Sequence, residues 1–435
     1  MANAKPKGNK MSIKYKKFDM ATPPRIPAAW TVPVARVATF FLTMPHGGGK
    51  VKKINCEGLK PPFIVLSTHG SIIDFPLAWK AIRPYKTNWI ISIEEFIGRE
   101  FIFRQVGGFY KRKFTSDILV VKHALTCLKK YGDVLTFYPE ARFSLAGINE
   151  EIDGAIGKLV KAASCPVVYM SRKGNFLVSP PWNKKPKRKV PVSGEFEQIV
   201  TKEQAETLTA DEIQKIIESH FHYNEYEWQY ENKIRIDSKY RAHNIHKILY
   251  RCPACGKEHM TSAYTKIRCE ECGKEYEMDV YGRLHALTGE TEFESVPDWY
   301  LWERSLVRAE VREGNYRFED EVRVEKMMNT KDGFVPIGKA KLTHDAVNGF
   351  ILHGIMDDGT ELTLQRAPET MRSCHIEYNY RKRGDAMELC TLSDTYFVYP
   401  LNKYNPLTKL HFATEEVSEY VKEQKNIARD RHESV

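Results

Sequence analysis

Apolar and polar positions follow two regimes along the chain. Between residues 61 and 170, short apolar runs alternate with segments whose apolar residues recur every three to four positions. Residues 63–67, after Pro61-Pro62, read as a buried strand, because an unbroken apolar run suits a strand covered on both faces. Residues 72–82 read as a helix. Ser116 is placed to cap a helix through Lys130, with Ile118, Val121, Leu125 and Leu128 on one face and Gly132-Asp133 to end it. Residues 134–138 form the next strand, 154–163 a helix and 166–170 another strand. This alternation predicts an α/β layer fold with a largely parallel sheet.

Residues 183–189 form a basic loop holding Lys184, Lys185, Lys187, Arg188 and Lys189. A helix follows over 209–219, with Thr209 as cap and Glu212 completing the capping box. An aromatic stretch over 221–230 closes this region. Asp298 precedes a second helical pattern, with Trp299, Trp302, Leu306 and Ala309 on one face and Gly314 to stop it. From about residue 317 the period becomes two. Val322/Val324, Ala340/Leu342, Ile351/His353, Leu362/Leu364, Ile376/Tyr378/Tyr380 and Tyr396/Val398 mark strands, with turns at Asp358-Gly359 and Arg383-Gly384-Asp385. A last helix, with Thr414 as its cap, carries Val417, Tyr420 and Val421. Antiparallel strands closed by one C-terminal helix are similar to a pleckstrin-homology-type barrel; a plain β-sandwich is the alternative. The expected organisation is a basic segment over 1–60, an α/β domain over 61–235, a cysteine module over 248–280, a helix plus β-rich domain over 295–425 and a tail over 426–435.

The 435 residues are 42% apolar and 28% charged, which excludes a disordered, collagen-like or polytopic membrane chain. Charge sharpens the picture because it is localised. Residues 1–60 carry twelve basic side chains and two acidic ones, which accounts for the entire net charge of +10. A neutral body with one basic end suggests docking on an anionic surface, most commonly a membrane leaflet; the alternative is a solvated tail, and residues 1–17 are expected to be disordered. Residues 28–44 are apolar but short and interrupted by Pro33 and Arg36, so they are expected to lie on a membrane or against the protein body instead of spanning. Nine cysteines without a secretory signal point to a reducing cytosol. The expected location is cytoplasmic and peripheral to a membrane.

The first candidate chemistry is His69-Gly70-Ser71-Ile72-Ile73-Asp74. His69 follows a strand, where open α/β sheets place their ligands. Asp74, in the first turn of the next helix, is placed to fold back onto one imidazole nitrogen. That fixes the tautomer and leaves the other nitrogen as a base near neutral pH. Downstream come Gly107-Gly108-Phe109-Tyr110-Lys111-Arg112, then Phe137-Tyr138-Pro139-Glu140-Ala141-Arg142-Phe143-Ser144, then Pro166-Val167-Val168-Tyr169-Met170. Each block also has a plain structural reading: a helix-start histidine, a solvated turn at Lys111-Arg112, a turn at Pro139-Glu140.

This ordered series resembles the glycerolipid acyltransferases, most closely the bacterial 1-acylglycerol-3-phosphate acyltransferases, over about residues 30–215. The resemblance implies that His69 is a general base and Asp74 its orienting partner. It implies that Lys111 and Arg112 bind the acceptor's phosphate and that Glu140, Arg142 and Ser144 line the same pocket. One departure stands out. The family's Glu-Gly-Thr-Arg-Ser is Glu140-Ala141-Arg142-Phe143-Ser144 here, so the arginine moves forward one position and Phe143 takes its place.

The second candidate chemistry is Cys252-Pro-Ala-Cys255 and Cys269-Glu-Glu-Cys272, each followed by glycine. Two such knuckles supply four thiolates to one tetrahedral zinc, a closed and therefore structural site; a redox pair or an iron site is the alternative. The module looks like a zinc ribbon. Its acidic residues offset its lysines, so nucleic acid is not the expected partner. His259 and His285 are possible substitute ligands and more simply surface residues. The function expected from all of this is transfer of a fatty acyl group from coenzyme A or acyl carrier protein to a lysophospholipid, giving phosphatidate from 1-acylglycerol 3-phosphate. Alternatives are another acceptor, such as glycerol 3-phosphate, or a non-catalytic zinc-ribbon adaptor.

Overall fold

Seven strands build the sheet of the first half: β1 (Lys50–Ile54), β2 (Ile64–Ser67), β3 (Thr87–Ser92), β4 (Gly108–Lys111), β5 (Val134–Phe137), β6 (Val167–Lys173) and β7 (Ser193–Val200). They appear in a computed structural model that describes residues 19–433 apart from 186 and 403–405; the segment expected to be disordered, 1–17, lies outside the described residues. The strand order is β1-β7-β6-β2-β5-β3-β4. Every pairing is parallel except β6 with β7, so the sheet is mixed and largely parallel. Its central strands are buried on both faces. Val65, Val168 and Met170 enter one apolar cluster, while Ile64, Leu66, Val167 and Tyr169 enter the other. This is why those strands read as continuous apolar runs.

Helix α1 (Thr31–Thr43) and helix α2 (Asp74–Ile82) pack together beside this sheet. The helix expected to start at Ser116 is capped by Asp117, whose carboxylate accepts from Leu119 N at 2.8 Å. It runs over Ile118–Leu125, then widens into a π-turn over Thr126–Tyr131 that Gly132 ends at φ 67°. Thr209 and Glu212 make the expected capping box.

The cysteine module is an antiparallel sheet of β8 (Met260–Ala263), β9 (Lys266–Cys269), β10 (Glu275–Met278) and β11 (Leu284–Ala286), so it reaches past residue 280. The C-terminal half is one seven-stranded antiparallel sheet, ordered β15-β14-β13-β12-β18-β17-β16. Its strands are β12 (Phe318–Asn329), β13 (Gly333–Asp345), β14 (Gly349–Ile355), β15 (Glu361–Arg366), β16 (His375–Glu377), β17 (Ala386–Cys390) and β18 (Thr395–Pro400). Tyr378 and Tyr380 fall outside β16, because the chain leaves the sheet through left-handed conformations at Asn379 and Arg381.

The last helix, Leu407–Glu433, differs from the expectation at both ends. It begins just after Pro406, whose ring suits the start of a helix. Thr414 is therefore internal and donates to the carbonyl of Leu410 four residues back. Most of the expected tail is helical. One buried apolar cluster runs from α2 through the cysteine module, at Ile267, Tyr276 and Leu284, into the C-terminal half at Trp299, Val324 and Phe412.

Candidate active site

β2 ends at Ser67, and the chain turns sharply through His69 into α2. The turn is tight: a Cβ on Gly70 would sit 2.9 Å from Phe176 N. Asp74 is fully buried at the start of α2. Its Oδ2 lies 2.8 Å from His69 Nδ1 and also accepts from the Gly70 and Ser71 amides, at 2.8 and 3.1 Å. Its Oδ1 accepts from Asn175 Nδ2 at 2.5 Å. The Arg172 guanidinium sits 3.7 Å from Oδ2. Burial pushes the Asp74 carboxyl up, but Arg172 and His69 outweigh it and hold the group below its ordinary range. Asp74 is therefore an anion, and it fixes the proton of His69 on Nδ1. Burial lowers the imidazole pKa more than Asp74 raises it, so the ring is neutral at neutral pH.

Two aromatic rings hold the imidazole in place. Tyr138 stacks on it with centroids 3.9 Å apart, and Phe143 lies tilted at 4.1 Å. His69 Nε2 has no protein hydrogen bond among the described residues. The ring lines two cavities. The first, about 170 Å³, is walled by Ile90, Val120, Ala124, Phe137, Ile156 and Leu159. The second, about 270 Å³, is roofed from the C-terminal half by His375, Ile376, Glu377 and Tyr378.

The block at 140–144 lies around His69 without pointing its polar side chains at Nε2. Glu140 is fully buried; its Oε2 accepts from His69 N at 3.1 Å, and its Oε1 accepts from Glu150 N and the Tyr223 hydroxyl, both at 2.9 Å. Burial pushes its pKa up to about 8. Ser144 N donates to His69 O at 2.9 Å, and Ser144 Oγ donates to Ile148 O at 2.6 Å. Both backbone groups of His69 are thus held by this one loop. Ala141 sits between them at φ 58°, the left-handed region that favours glycine.

Arg142 is buried and turned toward the C-terminal half. Its Nη2 is 2.7 Å from both Glu150 Oε2 and Glu415 Oε1, and Nη1 donates to Ser373 Oγ and to Cys374 O. Arg112 also reaches across, donating to the carbonyls of Leu392 and Ser393 at 3.0 and 2.7 Å. It directly follows β4, next to Lys111, which lines the apolar cavity. Arg172, Asn175, Tyr138 and Phe143 are the site residues that motif reading missed. Nothing local in the sequence marks Arg172 or Asn175 as partners of Asp74.

The four cysteines converge. Cys252 and Cys272 sulfurs are 3.7 Å apart, as are those of Cys255 and Cys269, and all four lie within 4.8 Å of one another. Tetrahedral zinc with Zn–S near 2.3 Å requires S···S separations of about 3.8 Å, so the donor set fits. Gly256 and Gly273, at φ 74° and 73°, close the two knuckles. His259 and His285 stand apart from the cluster, paired with Glu271 and Asp279.

Helix α1 is built inside out. Thr31, Thr39 and Thr43 are buried, while Trp30, Val34, Val37, Phe40, Phe41 and Met44 in and around it are exposed. No helix among the described residues is long and apolar enough to cross a membrane.

No protein-family model matches the chain, and no curated protein matches it. Among solved structures, it is similar to the 1-acyl-sn-glycerophosphate acyltransferase PlsC from Thermotoga maritima, at 18% identity and a TM-score of 0.34, over 44% of this chain and 75% of that one.

Proposed function

We propose that this protein is an acyltransferase of phospholipid synthesis. It moves a fatty acyl group from a thioester donor to the free hydroxyl of a lysophospholipid, with 1-acylglycerol 3-phosphate as acceptor and phosphatidate as product. The observation that carries the reading is the His69–Asp74 pair, a buried 2.8 Å contact on a ring that lines both cavities. His69 Nε2 takes the proton from the acceptor hydroxyl while Asp74 steadies the imidazolium. The acceptor oxygen attacks the thioester carbonyl, the C–O bond forms and the C–S bond breaks. The proton passes from His69 to the departing thiolate. The donor is acyl-coenzyme A or acyl carrier protein. The exposed apolar face of α1 rests on an anionic membrane, where the lipid acceptor and product reside. Zinc bound by Cys252, Cys255, Cys269 and Cys272 serves to hold the ribbon together.

The test is acyl transfer by purified protein, with 1-acylglycerol 3-phosphate and each donor, read by mass spectrometry of the diacyl product. Wild type gives product and His69→Ala, folded and zinc-loaded, gives none. Equal product from both would remove His69 from the chemistry.

A further inference from the structure

Three arginine or lysine positions of the motif blocks are candidates for an acceptor phosphate, and two are committed elsewhere. Arg112 holds the carbonyls of Leu392 and Ser393, and Arg142 holds Glu150 and Glu415. Arg142 borders the second cavity with its guanidinium already paired, and Lys111 is the one of the three that lines the apolar cavity beside His69. Its ammonium is mostly buried and donates to a single backbone carbonyl, Thr115 O at 3.3 Å. No carboxylate is within ion-pair distance of it among the described residues. Lys113, in the same cavity, is by contrast matched by Glu94 and by Glu388 at 3.2 Å.

A second cation enters this cavity from the C-terminal half. Arg372, between the short turn Pro368–Thr370 and β16, lines the same apolar space. Its Nη1 donates to Glu151 O at 3.3 Å, and its Nη2 lies 3.8 Å from Asp153 Oδ2. That pairing is loose. The arginines that tie this molecule together, Arg142, Arg304 and Arg308, sit at 2.7 Å from their carboxylates. Lys111 and Arg372 are near enough to repel each other: burial lowers the pKa of Lys111, Asp153 raises it and Arg372 lowers it again. Lys111 has no ion pair among the described residues and Arg372 has only this long one, in a partly buried space that also opens on His69, so both cations are available to an entering anion.

We infer that Lys111 and Arg372 together form a binding site for a phosphate monoester, so that the C-terminal domain contributes a substrate-binding residue to the His69 cavity. The inference rests on the acyltransferase reading. The guanidinium fork suits two phosphate oxygens and the lysine adds a point charge. Asp153 is the internal competitor that the incoming anion displaces. The turned-away Arg142 is then no loss of anion binding, since Arg372 supplies the second cation from across the domain boundary. The phosphate can belong to the lipid acceptor or to the 3′-phosphate of coenzyme A.

The experiment is calorimetric binding to full-length, zinc-loaded protein carrying His69→Ala to prevent turnover. Glycerol 3-phosphate is compared with glycerol, and coenzyme A with its 3′-dephospho form. Adding Arg372→Ala is expected to weaken the phosphate-bearing member of one pair by about ten- to a hundredfold, the range of a charged hydrogen bond, and to leave its phosphate-free partner unchanged. The pair affected identifies the source of the phosphate. Arg372→Lys is expected to recover part of the loss, and Asp153→Asn to tighten binding. A structural arginine predicts the reverse, with Asp153→Asn behaving like Arg372→Ala. That result, or Arg372→Ala leaving both pairs untouched, overturns the inference. Binding that follows Arg372 in a protein yielding no acyl product would refute the acyltransferase reading and leave the phosphate site standing.

Discussion

Arg142→Ala separates a substrate role for this arginine from a structural one. The wild-type guanidinium lies between Glu150 and Glu415 and also engages Ser373, joining the 140–150 loop to the last helix and to the strand-leading segment before β16. Truncation strands carboxylates that are almost completely buried. Removing one partner of a buried ion pair costs about 3–5 kcal/mol. Two features limit the loss here. Arg304 Nη1 remains 2.9 Å from Glu415 Oε2, and Leu145 N still donates to Glu150 Oε1 at 3.1 Å. The expected loss is therefore near the lower end, about 3 kcal/mol, read as a lower urea midpoint by tryptophan fluorescence. Adding Glu150→Gln removes the stranded charge and should restore about 1 kcal/mol or more, a non-additive result for contacting residues. The pH dependence has a definite sign. Arg142 and its neighbours hold the Glu415 carboxyl far below its ordinary value, against burial. Its contribution is present above the unfolded carboxylate range, near about pH 4.3, and is lost as pH falls through and below that range. The deficit of Arg142→Ala should accordingly shrink in acid. An unchanged midpoint together with a raised KM for the acceptor would refute this reasoning and return Arg142 to the substrate pocket.

Three further outcomes follow from the same geometry. Because burial holds the His69 imidazole below its ordinary value, the acid limb of the pH–rate profile should have its midpoint below about 6.5; a midpoint above that value would contradict a neutral, desolvated base. One zinc per chain should be found by metal analysis, and Cys255→Ser with Cys272→Ser should lower the melting temperature with the loss of metal, since the knuckles join the cluster containing Tyr276 and Trp299. Full metal retention by that double variant would exclude the site. Phe40→Asp with Phe41→Asp should weaken binding to anionic vesicles by about a hundred- to ten-thousandfold, taking about 1.5–3 kcal/mol per inserted ring; unchanged binding with intact folding would exclude α1 as the docking face.

The sequence made some of this legible and hid the rest for physical reasons. β2, β5 and β6 are visible because strands buried on both faces need unbroken apolar runs, and Ile64, Val65 and Leu66 serve both faces within three residues. The capping box at Thr209 is visible because its partners are three residues apart. The start of the last helix is hidden because Thr414 is of a residue type that caps helices, whereas Pro406 sets the boundary and leaves Thr414 to bond four residues back. Partners such as Arg172 and Asn175, about a hundred residues from Asp74, have no local signature, since they reach it only when β6 pairs with β2.

The block at 140–144 shows how a motif can keep its place while its side chains change destination. Glu140 and Ser144 clamp the amide and carbonyl of His69, and that task depends on the path of the backbone between them. The path demands a left-handed residue at 141, a conformation that costs an alanine roughly 1 kcal/mol relative to glycine. The chain accepts this strain and keeps the clamp. Between the two anchors, the side chains of 142 and 143 are free to differ, because neither takes part in the clamp on the His69 backbone. Phe143 presses on the imidazole, and Arg142 turns outward to Glu415, some 270 residues along the chain. A single-domain protein would gain nothing from an arginine aimed away from its cavity. Here it fastens the C-terminal half over the site, and the same half brings Arg372 to the apolar cavity beside His69. The path of Arg142 and the presence of the second domain are thus two sides of one arrangement, which is why the cavities around His69 cannot be read from the first 215 residues alone.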